Sequence, residues 1–283
     1  MQIHVNGKAL FFDVEGEGWA RRNDTMVQRP TLILLHGAPG NSDHSVFKPD
    51  FSVLADAMQI IYLDLSGAGR SEDEPDGHFS LERWADDLVA FCDTLGIEKP
   101  VVLGVSGGGF VAQCYGARHP DHPGKLILAS TQAFLDVPRC LEEFARLGGP
   151  DAVDAARVLL SERVDGESSA RFAALCNPLY NPTPMPLKPA YIFRPKLAMA
   201  FHGLEGIWHT MDLRGELGKI KAPTLVLAGD DDPITPLQDS RDIVKAMAPG
   251  VATLAHFANA GHGPWRDQPE AVFALLRRFI TEA

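Results

Sequence analysis

Short runs of apolar and β-branched residues alternate along this chain with longer stretches whose apolar positions recur every three or four residues. Eight runs read as buried strands: Ile3–Val5, Leu10–Val14, Thr31–His36, Gln59–Asp64, Pro100–Leu103, Lys125–Ser130, Thr224–Ala228 and Ala252–Phe257. Asn6-Gly7, between the first two, is a strong hairpin turn pair. Helical patterns fall at Val46–Met58, Leu81–Leu95, Gly109–Arg118, Leu237–Met247 and Pro269–Thr281. In the second of these, Leu81, Trp84, Leu88, Phe91 and Leu95 share one face, Ser80 is placed to cap the start and Gly96 to end the helix. Strands and helices in alternation predict an α/β fold: a mostly parallel sheet of eight strands with helices on both faces.

The rhythm breaks between about residues 134 and 215, where helical stretches continue without a strand. Asn177 to Pro195 carries Pro178, Pro182, Pro184, Pro186, Pro189 and Pro195. The expected organisation is a core domain of residues 1–133 and 216–283 with a mainly helical insert, 134–215. The insert leaves and rejoins the sheet near one edge. Its apolar side chains are therefore expected to be buried over the open strand ends, as a cap.

In parallel sheets ligands bind beyond the carboxyl ends of the strands. The residues just after the expected strands are therefore the candidates for chemistry. They are His36-Gly37-Ala38-Pro39-Gly40, Asp64-Leu65-Ser66-Gly67-Ala68-Gly69-Arg70-Ser71, Gly104-Val105-Ser106-Gly107-Gly108, Gly229-Asp230-Asp231-Asp232-Pro233-Ile234-Thr235-Pro236 and Asn259-Ala260-Gly261-His262-Gly263-Pro264-Trp265. The third is a G-x-S-x-G turn between a strand and a helix, which lifts a serine hydroxyl above the sheet. A serine, an acid and a histidine thus follow in that order on one edge.

That order has a chemical meaning. A serine hydroxyl is a weak nucleophile, and an imidazole must take its proton during attack and return one to the leaving group. A carboxylate holds that imidazole in the required tautomer. Asp230, Asp231 and Asp232 all compete for the acid role on position alone. Among the other histidines, His36 is expected to pack beneath the loop after its strand. His44 and His202 are pocket candidates. The cap aromatics Phe134, Phe172, Tyr180, Tyr191, Phe193, Phe201 and Trp208 are expected mostly in packing, with a minority facing the serine.

Composition narrows the partners. The chain has 283 residues and a net charge of −11, with no basic block, which argues against nucleic acid or an anionic membrane. No apolar run approaches a membrane span, and the first residues carry no signal-peptide pattern, so a cytoplasmic location is expected. Cys92, Cys114, Cys140 and Cys176 are too far apart for a metal knuckle or a C-x-x-C pair. The aspartate run lacks the further oxygen ligands of a hard metal site. Gly67-Ala68-Gly69 lacks the dinucleotide spacing and reads as structural. No cofactor and no metal are expected, and oligomeric state is left open.

With these motifs the chain resembles the α/β-hydrolase family of serine hydrolases over nearly its whole length outside the insert. HGAPG resembles the family's oxyanion loop, DLSGAGRS its D-x-x-G-x-G-x-S segment and GDDDPITP its acid turn. HGAPG, the position of the insert and AGHGPW resemble most the proline iminopeptidase group. The resemblance implies Ser106 as nucleophile and His262 as base. It implies Asp232 as the acid, three residues after the turn's glycine and four before its proline. The backbone N–H groups of Ala38 and Gly107 are implied as the oxyanion hole, and Tyr180, Trp208 and His202 are candidate substrate contacts. Gly107 stands where proline iminopeptidases usually carry a tryptophan, and Glu142, Glu143, Glu162 and Glu205 are the insert's candidates for holding a substrate amine. The expected activity is cleavage of an ester or amide of a small molecule or short peptide through an acyl-enzyme. The alternatives are a proline iminopeptidase-type aminopeptidase, a C–C bond hydrolase, or a non-catalytic ligand receptor on the same fold.

Overall fold

The computed structural model describes residues 1–161, 166–184 and 190–282. The strands are β1 (Gln2–Val5), β2 (Lys8–Glu15), β3 (Trp19–Arg22), β4 (Thr25–Gln28), β5 (Thr31–Leu35), β6 (Gln59–Leu63), β7 (Val101–Val105), β8 (Lys125–Ala129), β9 (Thr224–Gly229) and β10 (Ala252–Phe257). The helices are α1 (Lys48–Phe51), α2 (Leu81–Leu95), α3 (Gly107–Arg118), α4 (Val137–Ser161), α5 (Gly166–Leu175), α6 (Pro195–His202), α7 (Ile207–Thr210), α8 (Leu237–Ala246), α9 (Pro264–Asp267) and α10 (Pro269–Thr281).

Eight strands form one sheet in the order β1-β2-β6-β5-β7-β8-β9-β10. β1 and β2 pair antiparallel around Asn6 and Gly7, both at positive φ, and β2 runs antiparallel to β6. All pairings from β6 to β10 are parallel. The alternation of strand side chains sorts them into two cores. Ile33 and Leu35 of β5 pack with α2 and α3 residues such as Trp84, Leu88 and Phe110. Leu32 and Leu34 of the same strand pack with Phe51, Trp265 and the α10 residues Val272 and Leu276. Helices therefore cover both faces, as the sequence pattern predicts. α2 has its expected ends: Ser80 accepts from Arg83 N (3.3 Å), and Gly96 closes the helix in the left-handed region.

Two elements differ from expectation. Val46–Met58 is a series of tight turns around the four-residue α1 rather than a helix. Phe47, Phe51, Leu54 and Met58 are all buried, so the apolar spacing is met by successive short turns just as a helix would meet it. β3 and β4 form a separate ribbon that no apolar alternation announces. Trp19, Met26 and Val27 are its large apolar side chains, and all three are exposed. Among the described residues no helix is long and apolar enough to cross a membrane.

Between β8 and β9 the chain runs through α4 to α7, and Phe134 and Asp212 near its two ends meet in an isolated antiparallel bridge. α4 is interrupted at Gly149, which has φ 71° ahead of Pro150.

Candidate active site

Ser106 follows the last residue of β7 and precedes the first residue of α3. Its φ of 52° is a strained conformation for a serine, so its surroundings must over-determine it. Ser106 N donates to Ala129 O of β8 (3.0 Å), and Ser106 O accepts from Gly109 N (2.9 Å) and Thr131 Oγ1 (2.8 Å). α3 begins so close to β5 that a Cβ on Gly108 would meet Leu35 O and lie 2.7 Å from His36 O. Backbone on both sides leaves room only for glycine there.

The acid turn after β9 separates its three aspartates. Asp230 Oδ1 is 2.7 Å from His256 Nδ1, and Asp231 Oδ1 accepts from Arg146 Nη1 at 2.9 Å. Both therefore have side-chain partners in the protein. Asp232 is 1% exposed and is the one that meets His262, Oδ2 to Nδ1 at 2.8 Å. Its remaining acceptor sites are filled by Ile234 N (3.0 Å), Thr235 N (2.9 Å) and Thr235 Oγ1 (2.6 Å). An ionised carboxylate only accepts, so Nδ1 carries a proton, and in the neutral imidazole the lone pair is then on Nε2. Among the described residues no hydrogen bond joins Ser106 Oγ to His262, although both line the same cavity. Such contacts close in substrate complexes.

Gly107 adjoins the serine in sequence, and Gly37, the neighbour of Ala38, lies against it: a Cβ there would be 3.0 Å from Ser106 Cβ. Gly107 is the first residue of α3, so its N–H has no partner within the helix. Ala38 sits at φ 44°, at the start of a turn closed by Asn41 N donating to Ala38 O (2.8 Å).

Ser106, Gly107, Ala38 and His262 all line one cavity of about 1600 Å³. Tyr180, His202 and Trp208 line it too, as do Phe172, Tyr191, Phe193 and Phe201. Phe172, Phe201 and Trp208 are at the same time buried in the core, Phe201 stacked on Phe110 and Phe172 edge-on to Phe144, so they serve packing while they border the cavity. Phe134 does not line it and lies beneath the Arg214 guanidinium at 3.9 Å. Tyr180 sets its ring edge-on to His262, with centroids 5.3 Å apart, and burial together with the Asp232 charge pushes its phenol pKa up. Burial pushes the His202 imidazole down to about 4, so it is neutral at pH 7.

His44 does not line the cavity; its Nδ1 is 2.9 Å from Asp64 Oδ1. Asp43, His44 and Asp64 form the one group of three possible metal ligands among the described residues. Their acceptors are already occupied: Asp64 takes His44 N and Arg70 N, and Asp43 takes Ser45 N and Ile192 N. This cluster braces loops rather than offering open ligands. The same Asp64–Arg70 contact gives Gly67-Ala68-Gly69 its structural use. His36 is fully buried behind the oxyanion-type loop, and burial lowers its pKa. The four cysteines are buried and unpaired. Glu205 lines the cavity, Glu143 is bound to Arg146, and Glu162 falls outside the described residues. Sequence reasoning missed Thr235, which donates to Asp232, and Ser130, whose Oγ accepts from Gly263 N (3.0 Å) beside the histidine. Thr235 lies within the acid turn itself; Ser130 carries no signal beyond its place at the end of β8.

Residues 30–264 match the model of the alpha/beta hydrolase fold family. The AB hydrolase superfamily protein YisY of Bacillus subtilis is 30% identical, over 88% of this chain and 90% of its own length. A proline iminopeptidase of Lactobacillus helveticus is 27% identical, over 98% of each chain. The crystal structure of an enol-lactonase from Burkholderia xenovorans superposes with a TM-score of 0.68, at 24% identity over 100% of both chains. Eight strands in this order, a strained serine turn after β7 and a histidine bonded to an aspartate beyond β9 and β10 fit those similarities: the chain belongs to the α/β hydrolase fold family of enzymes.

Proposed function

We propose that this protein is a serine hydrolase that cleaves an ester, lactone or amide of a small molecule through an acyl-enzyme. The observation that carries the reading is His262: Nδ1 is tied to the buried Asp232, and the ring and the strained Ser106 border one cavity. In this mechanism Nε2 takes the Ser106 proton as Oγ attacks the substrate carbonyl. Asp232 fixes the tautomer and stabilises the imidazolium. The Ala38 and Gly107 N–H groups receive the oxyanion, a term worth several kcal/mol in such sites. The imidazolium then protonates the leaving group, and water activated by His262 releases the acid.

Residues 134–215 act in this reading as a cap. Support comes from the cavity wall, which the sheet edge and α6–α7 share. A roofed mouth excludes water and favours small substrates over polymers. The unpaired, buried cysteines suit a reducing compartment such as the cytoplasm.

Within the reading, an ester is favoured over an amino-acyl amide. A Cβ at position 107 would lie 2.8 Å from Phe201 Cζ and from Pro39 Cδ, so Phe201 and Pro39 take up the space into which the tryptophan of proline iminopeptidases would extend. Aromatic side chains form much of the cavity wall, and of the carboxylates that line it Asp212 is paired with Arg214, which leaves Glu82 and Glu205 as the places where an amine could be held. The test is a panel of p-nitrophenyl esters and amino-acid anilides against the native protein and Ser106→Ala. Ester turnover should exceed anilide turnover and fall by about 10⁴ or more in the variant. A preference for prolyl anilide would replace the esterase reading with the aminopeptidase one; absence of turnover on every substrate would favour a receptor.

A further inference from the structure

The loop that carries His262 has no secondary structure of its own, yet each backbone position from 260 to 263 is bonded to a different segment. Ala260 O accepts from Asp231 N of the acid turn (2.8 Å), and Gly263 N donates to Ser130 Oγ (3.0 Å). Gly261 N donates to Asp267 Oδ2 (2.9 Å), and His262 N donates to Tyr180 O (2.5 Å). The last two converge on the insert. Asp267 Oδ2 also accepts from Asn181 Nδ2 (2.8 Å), and Oδ1 from Thr183 N (2.9 Å). Asn181 is buried, and its Nδ2 reaches Gly263 O as well (3.4 Å). The insert backbone passes so close that a Cβ on Gly261 would meet Tyr180 O and lie 3.0 Å from Asn181 Cα.

From this arrangement we infer that Asp267 is a positioning residue for His262, clasping residues 180–183 of the insert to the histidine loop. The inference rests on the serine hydrolase reading above and adds a coupling to it. One carboxylate receives three N–H donors, two of them from the insert and one from the residue before the histidine. Charge-assisted bonds of this kind are about twice as strong as neutral ones. Removing the carboxylate leaves two buried or half-buried donors, Gly261 N and Asn181 Nδ2, without this partner and releases the exposed Thr183 N, which frees the strap from the loop. The base then loses registry with Ser106 while Ser106 and Asp232 keep their own supports. A displacement of about 1 Å at a reacting group lowers the rate by about a hundredfold. Substrate that fills the cavity also touches Tyr180, so a well-fitting substrate presses on the same strap that sets the base.

The measurement is kcat and KM of Asp267→Ala, Asn181→Ala and the double variant on a p-nitrophenyl ester, with each rate divided by the serine titrated with a fluorophosphonate. Counting only reactive sites removes any loss that comes from unfolded protein. Asp267→Ala should lower kcat per titrated site by about ten- to a hundredfold and change KM by less than about threefold. Asn181→Ala should lower it by less, about three- to tenfold, and the double variant should match Asp267→Ala rather than the product of the two, as expected for partners in one network. If Asp267→Ala does not fold, Asn181→Ala, which leaves the carboxylate in place, decides alone. Either single variant within about twofold of native kcat per site, or multiplicative effects in the pair, overturns the clasp. Ser106→Ala distinguishes this from failure of the underlying reading: turnover surviving in that variant overturns both, whereas its loss together with a native-like Asp267→Ala overturns the clasp alone.

Discussion

The serine turn and the histidine loop lie beyond the same sheet edge and are held in opposite ways. Ser106 is fixed by its immediate chain. β7 pairs on both sides, α3 starts at the next residue, and neighbouring backbone leaves no space for a side chain at 108. The His262 loop has no such frame and takes its position from the acid turn, β8, α9 and the insert. A turn held by close backbone contact is rigid and intolerant of substitution. A loop held by separate hydrogen bonds can lose one partner, shift by a fraction of an ångström and leave the fold standing. On the proposed mechanism the nucleophile is therefore built into the fold, and the base is adjustable.

The largest expected effect lies where the two regions meet in chemistry. Asp232→Asn should lower kcat by about 10⁴, because an amide at that position favours the wrong imidazole tautomer. Asp231→Asn, which removes a half-buried partner of the exposed Arg146, should leave kcat within about threefold and stability within about 1 kcal/mol. Equal losses from the two would put the acid elsewhere in the turn.

The comparison itself is tested by one methyl group placed in each region. Gly108→Ala should destabilise the protein by about 3 kcal/mol or more in urea unfolding, since only backbone surrounds the new atom. Gly261→Ala likewise meets only backbone, Tyr180 O and Asn181 Cα, but that backbone belongs to the insert and not to the sheet. It should lower stability by about 1–3 kcal/mol and also lower kcat by about tenfold or more. The reverse pattern, a stable Gly108→Ala beside an unfolded Gly261→Ala, would break the distinction drawn between the two regions.

A smaller effect comes from the insert. His202 is held near pKa 4 by burial, against an ordinary 6.5. Between those values the unfolded chain binds a proton that the folded protein does not, so stability falls as pH drops through this window. The single-site contribution at pH 5 relative to pH 7.5 is about 2 kcal/mol. His36, also shifted downward by burial, acts with the same sign. His202→Leu should therefore flatten the decline of the urea midpoint between pH 7.5 and 5; an unchanged decline would remove His202 as its source.

These contrasts also explain what could be read from the chain. The serine turn was legible because its determinants are contiguous: a strand, G-x-S-x-G and a helix within Pro100–Arg118. The acid turn was legible as far as its spacing to Gly229 and Pro236, but not the pairing of Asp230 with His256 or of Asp231 with Arg146, which are distant in sequence. The histidine was legible by its place after the last strand, yet its clasp joins residue 267 to residues 181 and 183, and no local pattern announces it. Val46–Met58 was misread because apolar spacing reports which side chains are buried and not the hydrogen bonds that bury them. The β3–β4 ribbon was invisible because nearly all of its side chains are exposed, so no buried face imposes an apolar alternation. The insert's aromatics were legible as packing residues, since Phe172, Phe201 and Trp208 are in the buried core, but not which of them also border the cavity.

The most direct test of the central claim is intact-mass and peptide mapping after reaction with a fluorophosphonate probe. The account predicts a single adduct, on the peptide containing Ser106, formed quickly by the native protein, absent from Ser106→Ala and slowed by at least about a hundredfold in His262→Ala. An adduct on another residue, or labelling at native rate without His262, would contradict it.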